Sequence, residues 1–349
     1  MAAPPPAREA RSRLRSGARS RPEPPSDPRP DSLPQTPTSL LTPRQMWRRR
    51  ANTASPYAFV APFFVLFIAF GLFPLLYTGY ISLHRVRLQN PDEMTWLGLE
   101  NYTNLWHDRF FWKALRNTFT IGVISTVPQL CMALGLAHLL NRRLRGRTFF
   151  RVAILMPYAT SVAAATLVFG GLFGRDYGMV NWFLGLFGVD NVDWYNGTWT
   201  SQIAISTIVT WRWVGYNTLI YLAAMQAIPH DRYEAAALDG AKSWHQFRHV
   251  TIPGLRPTIV FTVVVSTIGA MQIFAEPLLL QGGPIGVRGG ASHQYQTIGL
   301  YMYETGWSNY ALGKASAIAW TTFLIILLVI GVNALVSRSR SRRETREGR

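Results

Sequence analysis

Two short stretches of this sequence set aromatic, amide and charged side chains inside otherwise apolar surroundings. One is Trp211-Arg212-Trp213-Val214-Gly215-Tyr216-Asn217; the other holds Ser266, Gly269, Gln272 and Glu276. Aromatic faces laid against the C–H edges of a sugar ring, with amides bonding its hydroxyls, suit a neutral carbohydrate. Arg212 and Glu276 need separate treatment, because a lone charge in an apolar medium is costly. Either they pair with each other or they face a water-filled path. Glu276 has a simpler reading as well, reaching to an interface from the outer end of its helix. Arg212 sits deeper, which favours pairing or a functional role.

Covalent chemistry finds no support in the residue pattern. A phosphate-binding P-loop needs Gly-x-x-x-x-Gly-Lys-Ser/Thr. The nearest run, Gly240-Ala241-Lys242-Ser243, lacks the second Gly directly before its Lys. Neither a His/Cys/Asp metal constellation nor a Ser-His-Asp grouping stands out. The expectation is a binding and translocating chain, not an enzyme, with no cofactor of its own.

The elements that must position these residues are long and apolar. Six apolar stretches run at roughly 57–80, 115–140, 152–173, 201–227, 257–280 and 313–336. Each is long enough to cross a hydrocarbon core of about 30 Å at about 1.5 Å per helical residue. Pro62, Gly71 and Pro74 interrupt the first, which membrane helices tolerate because neighbours satisfy the freed backbone groups. The fourth is the weakest, since it carries Arg212. The fold class expected is all-α integral membrane, with six transmembrane helices across residues 51–336.

Charge supports this layout. The 349 residues carry a formal net charge of +17 with only 15% charged residues, so the cations are clustered. Nucleic-acid binding fails as an explanation, because the Arg-rich stretches bracket apolar runs and do not line one face. With both termini inside, segments 1–50, 141–151, 228–256 and 337–349 hold 26 Lys and Arg, while 81–112, 174–200 and 281–312 hold 5. Cytoplasmic termini follow from that asymmetry. The basic ends are placed to touch anionic lipid headgroups. Residues 1–50, rich in Pro and Arg, read as a disordered cytoplasmic tail without a secretory signal, and 337–349 as a basic cytoplasmic tail. The single Cys131 reads as a small buried hydrophobe, and Trp106, Trp112, Trp194 and Trp199 as interface anchors.

The loop at 228–256 carries the most specific signal. Pro229 ends the preceding helix; Asp231 and Glu234 have capping-box-like spacing, with Asp231 as N-cap. Ala235, Ala236, Ala237 and Leu238 are good helix formers, and Gly240 suits a terminator. A short helix with a small-residue face, outside the membrane, is expected.

Glu234-Ala235-Ala236, then Gly240, then Val250-Thr251-Ile252-Pro253 resembles the EAA motif of ABC importer permeases, with two aliphatic swaps and the spacing kept. Gly98-Leu99-Glu100-Asn101-Tyr102, Ile154-Leu155-Met156-Pro157-Tyr158 and Gly282-Gly283-Pro284 also resemble carbohydrate permeases of the maltose-transporter subgroup. The similarity covers roughly residues 55–336.

The resemblance implies a type I importer permease of the bacterial cytoplasmic (inner) membrane, taking up a di- or oligosaccharide. It implies as partners a second permease forming a heterodimer, two cytoplasmic ATPase subunits that use ATP and Mg, and an extracytoplasmic solute-binding protein. Glu234, Ala235, Ala236, Gly240 and Pro253 would then couple to the ATPase. The positions lining the sugar site in maltose-type permeases resemble Trp213, Tyr216, Gly269 and Gln272; Tyr216 and Gln272 keep chemistry suited to hydroxyls, while Trp213 and Gly269 depart from the pattern. A same-architecture permease for another solute is the first alternative. An ion-coupled secondary transporter is the second, and it would place carboxylates deep in several spans, where this sequence has only Glu276.

Overall fold

The computed structural model describes Tyr57, residues 59–142 and residues 145–347; the tail expected at 1–50 lies outside the described residues. The chain divides into two units at Val65 and Leu66, and the described residues 59–65 of the first are helical. The chain is mainly helical. Helix α1 (Phe59–Ser82) is followed by a two-stranded hairpin, β1 (His84–Arg87) and β2 (Asn90–Trp96), antiparallel with His84 opposite Trp96. Next come α2 (Glu100–Trp106), the long α3 (Arg109–Asn141), α4 (Arg147–Ala159), α5 (Val162–Leu172) and α6 (Met179–Gly185). Then follow α7 (Thr198–Gln226), α8 (Asp231–Leu238), α9 (Ser243–Gly254) and α10 (Arg256–Met271). Last are α11 (Ala275–Gln281), α12 (Gly283–Val287), α13 (Ile298–Tyr303) and α14 (Leu312–Glu347).

Helices α3 and α7 form the spine, and their sequences explain why they approach so closely. The buried face of α3 runs through Ala114, Asn117, Thr118, Ile121, Gly122, Ser125, Gln129, Ala133, Ala137 and Leu140, recurring every three to four residues. Most of these are small, as close helix crossings in lipid require. Hydroxyls stitch the pair: Ser206 Oγ donates to the Ile121 carbonyl at 3.3 Å and Thr210 Oγ1 to that of Ser125 at 3.1 Å. On its other side α7 crosses α4 at Gly215, where a Cβ would overlap the Ile154 carbonyl oxygen.

Among the described residues three helices are long and apolar enough to cross a membrane: Phe59–Ser82, Arg109–Asn141 and the Leu312–Asn333 part of α14. Two bent pairs raise that to five if each counts as one span. The third expected span is therefore not one straight helix. It breaks by 94° between α4 and α5, where Thr160 and Ser161 are extended and Ser161 Oγ caps the new helix by accepting from the Ala164 amide at 3.1 Å. The fifth differs too: α9 and α10 meet at 67°, and α10 stops at Met271, so Gln272 is its C-cap and Glu276 belongs to α11. The fourth, α7, has 29 residues, a length of about 43 Å at 1.5 Å per residue. It falls short on apolarity because it is the inner helix, burying Ser201, Gln202, Ser206, Asn217 and Thr218 against protein.

Apolar residues do not all point inward. Cys131, expected to be buried, is exposed on α3, since in a membrane protein an apolar face is as well satisfied by lipid or a partner as by core. Trp194, half-buried, packs on Phe173 at 5.1 Å and donates to Asn181 Oδ1 at 2.8 Å.

Candidate functional site

Two dry clusters bracket the middle of the bundle. One contains Ile121 of α3, Ile208 and Val209 of α7 and Ile273; the other contains Ala133 and Ala137 of α3, Tyr221 and Met225 of α7 and Leu255 beside α10. Between them all three helices turn polar. A cavity of about 250 Å³ opens there, lined by Ser125, Thr126 and Gln129 of α3 and by Arg212, Trp213, Tyr216 and Asn217 of α7. Val265, Ser266, Gly269 and Ala270 of α10 close the third side, with Gln272, Ile273 and Glu276 beyond it. The six residues expected to take part at a substrate site (Arg212, Trp213, Tyr216, Gly269, Gln272 and Glu276) all reach this one cavity, whereas Trp211 of the same stretch does not line it.

Arg212 and Glu276 pair with each other: Nη1 lies 3.1 Å from Oε1, with the side chains only 11% and 9% exposed. The reading of Glu276 as a group reaching out to an interface is thereby corrected. The break at Gln272 places it on α11, which packs against α7 and α5, so the carboxylate turns inward to the guanidinium. Arg212 Nε is buried and has no hydrogen-bond partner in the structure. The aromatic wall is ordered by contact: Tyr158 of α4 stacks on Tyr216 at 5.0 Å, and Trp213 meets both rings edge-on, at 5.3 Å and 5.8 Å. A Cβ added at Gly269 would meet nothing within 4 Å, so this glycine leaves open space on the cavity side. The arrangement offers aromatic faces, amides, hydroxyls and a neutralised ion pair, which is chemistry suited to binding a hydroxylated ligand.

Sequence reasoning missed the α3 wall. Gln129 is 3% exposed, immediately after Pro128 in an otherwise apolar stretch, and Ser125 is fully buried. A buried amide in a membrane helix was the available signal.

The end of the bundle beyond the first dry cluster is held by polar contacts. Asn117 Nδ2 donates to the carbonyls of His293 and Gln296 at 3.0 Å and 3.1 Å, while its Oδ1 accepts from Gln202 Nε2 at 3.1 Å. Asp108 caps α3 through the Phe110 amide, pairs with Lys314 of α14 at 2.7 Å and accepts from Tyr301 of α13 at 2.5 Å. Burial works to raise the Asp108 pKa, but the hydrogen bonds from Lys314, Tyr301 and the Phe110 amide outweigh it and hold the carboxyl below its ordinary value. Burial likewise pushes the Tyr301 phenol up, and the bond to Asp108 adds to that.

At the opposite end, α7 passes through Ala227–His230 into α8. The sequence expected Asp231 to cap this helix. Instead Asp231 is its first residue, His230 is the N-cap without a side-chain bond, and Glu234 turns back to the His230 ring, Oε1 to Nδ1 at 3.0 Å. The C-terminus is a Schellman turn: the Ala241 amide donates to the Ala236 carbonyl at 2.9 Å and the Gly240 amide to Ala237 at 3.0 Å. Gly240 takes φ 77°, the left-handed conformation such a turn requires. Glu234, Ala235, Gly240 and Pro253 are exposed, Ala236 is half-buried, and Leu238 is 90% exposed. Tyr233 hydroxyl bonds Thr251 Oγ1 at 3.0 Å, tying α8 to α9 two residues before Pro253.

Residues 129–342, which hold most of this cavity and all of α8, match the family of binding-protein-dependent transport system inner membrane components. The chain belongs to this family. Among relatives, the lactose transport system permease protein LacF of Rhizobium radiobacter is 35% identical over 81% of this chain and 93% of its own. The arabinooligosaccharides transport system permease protein AraP of Bacillus subtilis is 33% identical over 83% and 90%. The trehalose/maltose transport system permease protein MalF of Thermococcus litoralis is 32% identical over 81% and 94%. The fold is that of a chain in the crystal structure of a bacterial alginate ABC transporter in complex with an alginate pentasaccharide-bound periplasmic protein. The TM-score is 0.71 at 21% identity, covering 84% of this chain and 97% of that one. A binding-protein-dependent permease is a multi-pass membrane protein, which accords with the apolar helices. Among the described residues no group of three or more His, Cys, Asp or Glu could hold a metal ion.

Proposed function

We propose that this chain is the transmembrane permease subunit of an ATP-driven ABC importer that carries a di- or oligosaccharide. The observation that carries the reading is the convergence of Arg212, Trp213, Tyr216, Gly269, Gln272 and Glu276 on one mid-bundle cavity whose walls α7 and α10 both lead into the α8–α9 segment. The sugars named for the lactose, arabinooligosaccharide and trehalose/maltose relatives support the substrate class. In this reading α1, α3, the α4–α5 pair, α7, α10 with its flanking short helices, and α14 make six crossings with both termini cytoplasmic. The distribution of Lys and Arg supports that orientation.

Helix α8 then serves as the coupling helix. Its alanines permit close approach to a cytoplasmic ATPase, Glu234 supplies a polar anchor, and Gly240 turns the chain back toward α9 and Pro253. The complete transporter comprises a second permease in a heterodimer, two ATPase subunits that bind ATP and Mg, and an extracytoplasmic binding protein. This chain itself binds no cofactor.

Uptake of labelled di- and oligosaccharides tests the proposal, comparing the native strain, a deletion of this gene and the complemented deletion. One sugar's uptake should fall in the deletion and return with the wild-type gene. Unchanged uptake of every sugar under verified expression would move the assignment to another solute. Uptake that survives ATP depletion while an ion gradient is maintained would defeat the ABC reading itself.

A further inference from the structure

We propose that the Arg212–Glu276 pair sets the charge selectivity of the cavity, admitting uncharged sugars and rejecting acidic ones. The inference rests on the sugar reading above and adds to it which sugars are taken. Among the described residues, Arg212 and Glu276 are the only ones lining the cavity that carry a formal charge at neutral pH. Bonded at 3.1 Å, they cancel, and the wall presents donors and acceptors without net charge.

An arriving sugar carboxylate would have to displace Glu276 or sit beside it, and like charges at such range in a desolvated site repel. Removing the Glu276 charge reverses the situation. The guanidinium is then buried without compensation, and its planar fork matches a carboxylate with two parallel bonds. Removing the Arg212 charge leaves a buried carboxylate that favours a cationic sugar.

The break in α10 makes this pairing possible. Had the helix run on past Met271, Glu276 would have stayed on the α10 axis; on α11 it is delivered to α7.

The test measures sugar binding by equilibrium dialysis to the fully assembled transporter in nanodiscs, without the binding protein, so that the cavity alone selects. The probes are a panel of neutral di- and trisaccharides, trigalacturonate as the acidic sugar, and di-glucosamine in mildly acidic buffer as the cationic one. Wild type should bind a neutral sugar and not trigalacturonate. Glu276→Gln should gain on the order of tenfold or more for trigalacturonate. The double variant Arg212→Gln/Glu276→Gln should lose that gain. Arg212→Gln should shift the other way, toward di-glucosamine, and it carries the test if Glu276→Gln fails to assemble. Neutral binding in wild type with no charge-dependent shift in either single variant overturns the inference and leaves the sugar reading standing. Preference of wild type for trigalacturonate also overturns it. Wild type binding no sugar of any class overturns the sugar reading, and the inference with it.

Discussion

Gly215 of α7 lies against the carbonyl of Ile154 in α4, with no room for a Cβ between them. This backbone contact sets how far α4 stands from α7, and therefore where Tyr158 meets Trp213 and Tyr216. Gly215→Ala forces the helices apart, and Gly215→Val does so further. Overpacking of this kind costs about 1–3 kcal/mol. Lower melting temperature and lower membrane abundance should be seen, in the order glycine, alanine, valine; an alanine variant as stable as wild type would show that the contact is not limiting.

Gly269 is the complementary case. No atom lies within 4 Å of a Cβ placed at Gly269, so Gly269→Leu enters open space without forcing the helices apart, and the helix itself gains roughly 1 kcal/mol in propensity. The variant should assemble at least as well as wild type and lose most sugar binding, because the new side chain occupies the cavity. Normal sugar binding by a well-assembled Gly269→Leu protein would place the sugar elsewhere.

At Gly240 the φ of 77° is open to Asn and Asp more readily than to other side chains. Gly240→Asn keeps the turn without adding charge, whereas Gly240→Asp puts a carboxylate at the face proposed to meet the ATPase. Sugar-stimulated ATPase activity should fall several-fold in the Asp variant and much less in the Asn variant, at equal membrane levels. Equal activities of the two would argue that this turn does not touch the ATPase.

Tyr221 and Thr262 tie α7 to α10 through a buried hydroxyl–hydroxyl bond of 2.6 Å. Tyr221→Phe removes the bond and leaves Thr262 still bonded to the Ile259 carbonyl at 3.0 Å, so the loss should be about 1 kcal/mol, read as a small drop in thermal stability. Thr262→Val, a change of similar size, should not add to it in the double variant if the bond is what both remove.

The Asp108 clamp gives a pH dependence. Its folded-state pKa lies below the ordinary value of 3.8, so the unfolded chain takes up this proton first as pH falls. The clamp's contribution is complete at neutral pH and is lost as pH drops through the folded pKa. Thermal stability of the detergent-solubilised protein should decline on acidification, and Asp108→Asn should be less stable at neutral pH with a shallower decline. Parallel curves for the two proteins would remove the clamp as a source.

Much of this protein was legible in the sequence because membrane helices and turn chemistry are local. Long apolar runs announce helices whatever surrounds them, and Gly240 after Ala235-Ala236-Ala237-Leu238 announces a helix end because only a left-handed residue closes that turn cheaply. The polar residues at 212–217 and 266–276 stood out for the same reason, since lipid would reject them.

Tertiary structure alone decided what those residues do together. That Arg212 and Glu276, 64 positions apart, neutralise each other depends on where α10 breaks, and no local propensity in the sequence located that break. Gln129 and Ser125 joined the cavity because α3 crosses α7 at that level, a fact fixed by side-chain volumes on both helices at once. Cys131 departed from its expected burial because apolarity states only that a side chain avoids water, and in a membrane the alternative is protein or lipid alike.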